Sequence, residues 1–425
     1  MTVVRETRVA LTDAFLVVAD AARLLVRHLP ALLTVFLLGL AARNAAMWGA
    51  VVIGRDHVVL ASLLVPLAPL STVVAFVVML RIAAGALVTD VADASVSRRV
   101  AVLTSALVPF LTVYTVTGQL KADRDQFLNE SYADEQLNGG GFFSPDGIAD
   151  RSIATVDHLQ LTMVVVFLVI RLTIDLLDLE ERHTAWGLVQ ALVEVTWLTW
   201  LATYLTGAWQ DAKGWVGDRV VVSWFEDAWT SVTGWLGPLT DPLRSVSGLF
   251  SETLDRIGPI VVTPVAWLAV GAVVIAGGLP ASRRAGLELP GRARRFRERW
   301  SPGMARLQGT RPGAKLVELL GRRFADLGDA VRILVHAGLV PVAAFCVVLP
   351  LARLAELGAT LGLRALVGPH DPELMVALSP YLAIGTRAAY TLVVVVIVVA
   401  AVDRLLLRRA ESDPAATDPV EVSAR

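Results

Sequence analysis

The sequence predicts an all-α, polytopic integral membrane protein of about eight transmembrane helices, with amphipathic helices lying at the interface. Three observations predict it. The apolar residues are gathered into long runs. The chain is 55% hydrophobic and 18% charged, with a mean hydropathy of +0.62, where a soluble domain holds about 45–50% apolar and about 25% charged residues. Finally, the basic residues concentrate on alternate connections between the runs.

A spanning helix needs about 20 mostly apolar residues. The segments 29–50, 58–80, 100–119, 159–178, 186–207, 259–279, 336–356 and 383–406 meet that requirement. Pro66 and Pro69 predict a kink or a local break in the second. Residues 1–28 read as a cytoplasmic amphipathic segment. Its Glu6, Asp13 and Asp20 are unlike the basic start of a secretory signal. Residues 29–207 carry spans one to five, with an acidic outer loop at 120–158. A Trp-rich outer interfacial segment occupies 208–258, span six 259–279, a basic cytoplasmic connection 280–335, spans seven and eight 336–406, and a disordered cytoplasmic tail 407–425.

Orientation follows from counting Lys and Arg. The connections 1–28, 81–99, 179–185, 280–335 and 407–425, with Arg404, hold 25 of them, and the opposite connections hold nine. Arg43, Arg171, Arg353 and Arg387 fall within spans. Cytoplasmic loops carry the basic excess, so both termini are expected in the cytoplasm. Only three of the 38 basic residues are lysine, and with the Ala, Val and Leu bias this resembles a GC-rich bacterial coding sequence. The expected location is a bacterial cytoplasmic (inner) membrane.

The extramembrane pieces differ in character. "KADRDQFLNESYADEQLNGGG" reads as a solvated acidic loop, and its carboxylates lack the glycine position of an EF-hand. In 208–258, Phe225, Trp229, Val232 and Leu236 share one helical face, as do Leu243, Val246, Phe250, Leu254 and Ile257. Trp215, Trp224, Trp229 and Trp235 place these pieces at the headgroup level, where a partner-binding or gating surface is the functional alternative. "GRARRFRERW" puts arginines at 291–299 beside anionic cytoplasmic lipids, each gaining about 1 kcal/mol. The patch lacks a nucleic-acid recognition fold. The bilayer itself, anionic lipids, and membrane-protein partners or further copies of the chain are the expected partners.

"ADAARLLVRHLPALLTVF" and "GDAVRILVHAGLVPVAAF" align at an offset of 309, matching Asp20 with Asp329 and Arg23 with Arg332. A hairpin duplication or a chance match in a biased composition accounts for this equally well.

Candidate chemistry centres on "VFLVIRLTIDLLDLEERH" at 166–183, where Arg171 and Asp175 interrupt an apolar run. Positions i and i+4 share a face. A charge facing lipid at the helix centre costs at least ~2.5 kcal/mol, so this face should turn inward. Span five supplies Gln190 and Glu194 on one face. Counted outward from the turn near Arg182, Arg171 lies level with Glu194 and Asp175 level with Gln190. The expected intramembrane polar cluster is Arg171, Asp175, Gln190 and Glu194. It is either an interhelical ion pair that fixes the hairpin or part of an ion, proton or substrate path.

A second constellation, Asp56-His57, Asp157-His158 and His370-Asp371, stands at the outer starts of spans two, four and eight. Imidazole and carboxylate suit Zn²⁺; the same aspartates also fit helix N-caps, the simpler reading. A lone Cys346 excludes an intrachain disulfide and a CxxC pair. No cofactor, catalytic residue, Walker loop, hydrolase elbow or HExxH motif is found. The expected function is transport or permeation, with a non-catalytic membrane scaffold or envelope-complex subunit as the alternative.

Overall fold

The computed structural model describes residues 2–85, 106–107, 109–138, 157–176, 184–217, 263–278 and 339–412. Its elements are helices: α1 (Thr2–Ile53), α2 (Val58–Leu64), α3 (Leu67–Ala84), α4 (109–116), α5 (Gln119–Asn138), α6 (Asp157–Leu176), α7 (Thr184–Gly217), α8 (Thr263–Gly278), α9 (Leu339–Val348), α10 (Leu351–Val367) and α11 (Pro372–Ser412). Among the described residues, four stretches are long and apolar enough to cross a bilayer: Ala14–Ile53, Val58–Ala84, Ala344–Val367 and Pro372–Leu405. Leu161–Ile174 and Thr263–Ile275 are apolar but shorter. By length and composition these are the helices of a membrane-embedded protein.

Several expected boundaries move. α1 runs unbroken through position 28, so the N-terminal segment and span one are one helix. Pro30 lies inside it and offers no N–H to the Val26 carbonyl, at a cost of about 3 kcal/mol. The surrounding Ala and Leu carry the helix past that point, and Thr34 Oγ1 donates to the Pro30 carbonyl at 2.8 Å. The helix of span five continues to Gly217 and that of span eight to Ser412, shortening the interfacial segment and the tail expected there. The amphipathic pieces between 218 and 258, the whole 280–335 connection with its arginines, Asp329, Arg332 and residues 413–425 lie outside the described residues.

Two spans break at proline. α2 ends at Leu64 and α3 begins at Leu67, with Val65-Pro66 between them. Likewise α9 stops at Val348 and α10 starts at Leu351, across Leu349-Pro350. Each proline removes one backbone donor from the helical ladder.

α1 packs along α3 and α11, and α8 packs on α11 and α3. Small residues let the backbones approach: Gly39 faces Ala75 and Gly271 faces Val398, each without room for a Cβ. The apolar run Val394–Val402 of α11 is buried along its length. Separately, α6 pairs with α7, and α10 folds back on α11 as an antiparallel hairpin. Its turn at 368–371 is closed by Gly368, whose φ of +75° suits glycine.

Polar contacts bracket the apolar bundle at two levels. At one, Arg404 Nε donates to Asp20 Oδ2 at 3.1 Å, joining α11 to α1. At the other, Arg43 binds Asp123, and Arg387 donates to Gln119. From Asp20 to Arg43 is 23 residues and from Arg387 to Arg404 is 17, or roughly 35 Å and 26 Å at ~1.5 Å per residue. The two lengths bracket the ~30 Å of a hydrocarbon layer. The 368–371 turn lies past the Arg387 level, since Asp371 precedes Arg387 by 16 residues, roughly 24 Å of helix.

Candidate functional site

The Arg43 level is built from three elements. Arg43 sits near the end of α1, is 6% exposed, and would be a stranded charge without a partner. α5 supplies that partner. Arg43 Nε donates to Asp123 Oδ1 at 3.2 Å, and its Nη2 donates to the same oxygen and to Gln126 Oε1 at 2.8 Å. Tyr114 Oη donates to the other Asp123 oxygen at 2.5 Å. Asp123 is wholly buried. The first half of the expected acidic loop is therefore a packed helix, and Asp123 is no solvated carboxylate. Its burial follows from the demand of Arg43 for an anion. Farther along α5, Asp134 accepts two hydrogen bonds from Arg55, at 2.9 and 2.6 Å. That bonding holds the exposed Arg55 guanidinium above its ordinary pKa.

Beside Tyr114 lies a cavity of about 290 Å³, bounded by α3, α4, the start of α5, α8, α10 and α11. One wall is aromatic. Phe76 and Trp267 have ring centroids 4.4 Å apart, Phe110 and Trp267 6.1 Å apart edge to face, and Phe110 and Tyr114 5.6 Å apart. Polar side chains line the same cavity, among them Gln119, Arg353, Glu356, Arg387, Tyr390 and Thr391. Arg353 Nη1 donates to Glu356 Oε2 at 2.7 Å, and its guanidinium carbon lies 4.5 Å from the Tyr390 ring centroid. Arg387 donates to the neutral amide oxygen of Gln119. The break at Leu349-Pro350 delivers Arg353 to this cavity, because α10 starts anew two residues before it. A smaller cavity of about 50 Å³ adjoins the other break and is lined by Ser62, Pro66, Asp123 and Thr199.

Within the α6–α7 pair, Arg171 Nε donates to Glu194 Oε2 at 2.8 Å. Arg171 is 4%, Gln190 5% and Glu194 1% exposed. Asp175 lies on α6, and its side chain is outside the described residues. Arg171, Gln190 and Glu194 are not among the residues that line either of these two cavities. Arg171 and Glu194 form a buried ion pair between neighbouring helices.

The His-Asp constellation is arranged differently from the capping expectation. The N-cap of α2 is His57, one residue past Asp56, and it makes no side-chain cap bond. Asp157 is the first helical residue of α6 rather than its cap. Asp371 does precede α11, and its carbonyl accepts the Met375 N–H at 3.0 Å. Asp56, His57, His370 and Asp371 are exposed, while the side chains of Asp157 and His158 lie outside the described residues. Among the described residues no three His, Cys, Asp or Glu side chains come together as metal ligands.

Sequence reasoning placed Arg43, Arg353 and Arg387 inside spans without assigning them a site. Their common signal was a charge inside an apolar run at the same end of each span. No protein family, curated protein or solved structure matches the chain.

Proposed function

We propose that the chain is an eight-span protein of a bacterial cytoplasmic membrane, with both termini cytoplasmic, that passes a small solute through the Arg353–Arg387 pocket. The observation that carries this reading is the cavity itself, about 290 Å³ and lined in part by polar side chains, at the end of an apolar bundle. Sites of this kind in transporters adjoin interrupted helices, whose freed backbone is tolerated where it lines a cavity. The α9–α10 break supplies such an interruption. On this reading the Arg171–Glu194 pair holds a helical hairpin together, and the arginines at 291–299 rest on the cytoplasmic leaflet.

The scaffold reading has its own support in α10. Leu354, Leu357 and Leu361 are 61%, 54% and 60% exposed on a hairpin that reaches past the Arg387 level. Such a face suits a partner protein. One experiment separates the two readings. Thr391→Cys, in a Cys346→Ala background in sealed vesicles, is exposed to a small membrane-impermeant thiol reagent from each side in turn. Passage requires modification from both sides, because a transport pocket opens alternately. Modification from one side alone favours the scaffold.

A further inference from the structure

Arg387 is half-buried in the pocket wall, and its hydrogen bond goes to an uncharged amide. Among the described residues no carboxylate lies within ion-pair distance of it. The neighbouring carboxylate, Glu356, is already engaged by Arg353. The wall thus carries two guanidinium groups against one carboxylate, a net charge of +1 facing a 290 Å³ space. Phe76, Phe110 and Trp267 line the same space and supply an uncharged aromatic surface. Because the surrounding dielectric is lower, a half-buried arginine draws an anion more strongly than one in bulk water does. Its planar fork matches the two oxygens of a carboxylate or the oxygens of a phosphate.

From this juxtaposition we infer that the pocket binds an amphiphilic oxyanion, with its charged head on Arg387 and its apolar body against the Phe76–Phe110–Trp267 wall. Arg353 is the reserve cation. While Glu356 holds it, Arg353 contributes mainly through its stacking on Tyr390; freed from Glu356, it becomes a second contact for the head group. The inference deepens the proposed function by naming the ligand class, and it rests on the pocket being open to water from the outer side.

The test uses the Thr391→Cys, Cys346→Ala chain in nanodiscs of zwitterionic phosphatidylcholine, labelled with a neutral thiol reagent. Benzoate should slow labelling in a saturable way, whereas its neutral isostere benzamide and the bodiless acetate should do so far less. Arg387→Gln should raise the half-protecting benzoate concentration about tenfold or more, the scale of a lost charge-assisted contact. Arg387→Lys should restore part of the protection. Glu356→Gln should lower that concentration, an effect that a merely structural Glu356 would not produce. A second arm replaces part of the lipid with phosphatidylglycerol and omits benzoate. Protection there, without protection by benzoate, assigns the site to a lipid phosphate rather than a free solute. Labelling that proceeds equally in every arm overturns the oxyanion inference while leaving the open pocket standing. Absence of labelling removes the open pocket and the inference together.

Discussion

At Glu194 a carboxylate gives up nearly all contact with water and accepts a hydrogen bond from Arg171 2.8 Å away. Breaking such a buried pair by removing one partner costs about 3–5 kcal/mol, while replacing both by packed apolar residues is often neutral. Glu194→Ala should therefore destabilise the chain strongly in thermal unfolding in detergent, and Arg171→Leu with Glu194→Leu should recover most of the loss. A double variant as unstable as the single one would contradict a purely structural pair and restore a role in a path. This contact is legible in the sequence because its helices are consecutive, and residue counts from one turn set equal depths. The Arg43–Asp123 contact is harder to read. Its partners are 80 residues apart on elements joined by several turns, and no local periodicity links them. The only local clue is a cation near the end of a long apolar helix. Asp175 carries no such lesson, because its side chain lies outside the described residues.

Among elements, α5 is the piece that sequence patterning misjudged. Its composition is mostly polar, and its few apolar residues make only a weak stripe of the kind that marks a packed helix. Its docking rests on a few contacts, chiefly Asp123 with Arg43 and Tyr114, and Leu120 and Phe127 in apolar packing. Arg43→Gln should strip Asp123 of its cation and loosen α5, so that trypsin cuts faster after Lys121 and Arg124 in the membrane-bound protein. Arg55→Gln removes a pair whose arginine is half-exposed to water, and a partly screened pair contributes less than a buried one; cleavage should rise less than in Arg43→Gln. Equal cleavage in both variants would show that Asp123 is not what anchors the helix. The proline breaks, by contrast, could be read in part. Pro66 announced the α2–α3 interruption, whereas Pro350 lay within a segment counted as one span and shifted the following helix boundary to Leu351.

At the scale of the molecule, all-helical architecture and spanning hydropathy were legible from composition and run length alone. The finer architecture was not, because α1 and α11 are 52 and 41 residues long and overrun the bilayer thickness. Apolar run length marks the stretch that crosses, but helices continue past it wherever propensity and packing allow. The two polar levels, Asp20–Arg404 and the Arg43–Arg387 end, define the layer more sharply than hydropathy does. They also divide the described helices into a side that carries the start of α1 and the end of α11 and a side that carries the pocket and the 368–371 turn. Single cysteines at His370 and Ser282, each in the Cys346→Ala background, test this division with an impermeant maleimide. In intact cells His370→Cys should react at once, and Ser282→Cys only after permeabilisation. Reaction of both without permeabilisation, or the reverse order, would contradict a bundle that crosses the membrane with its pocket outward.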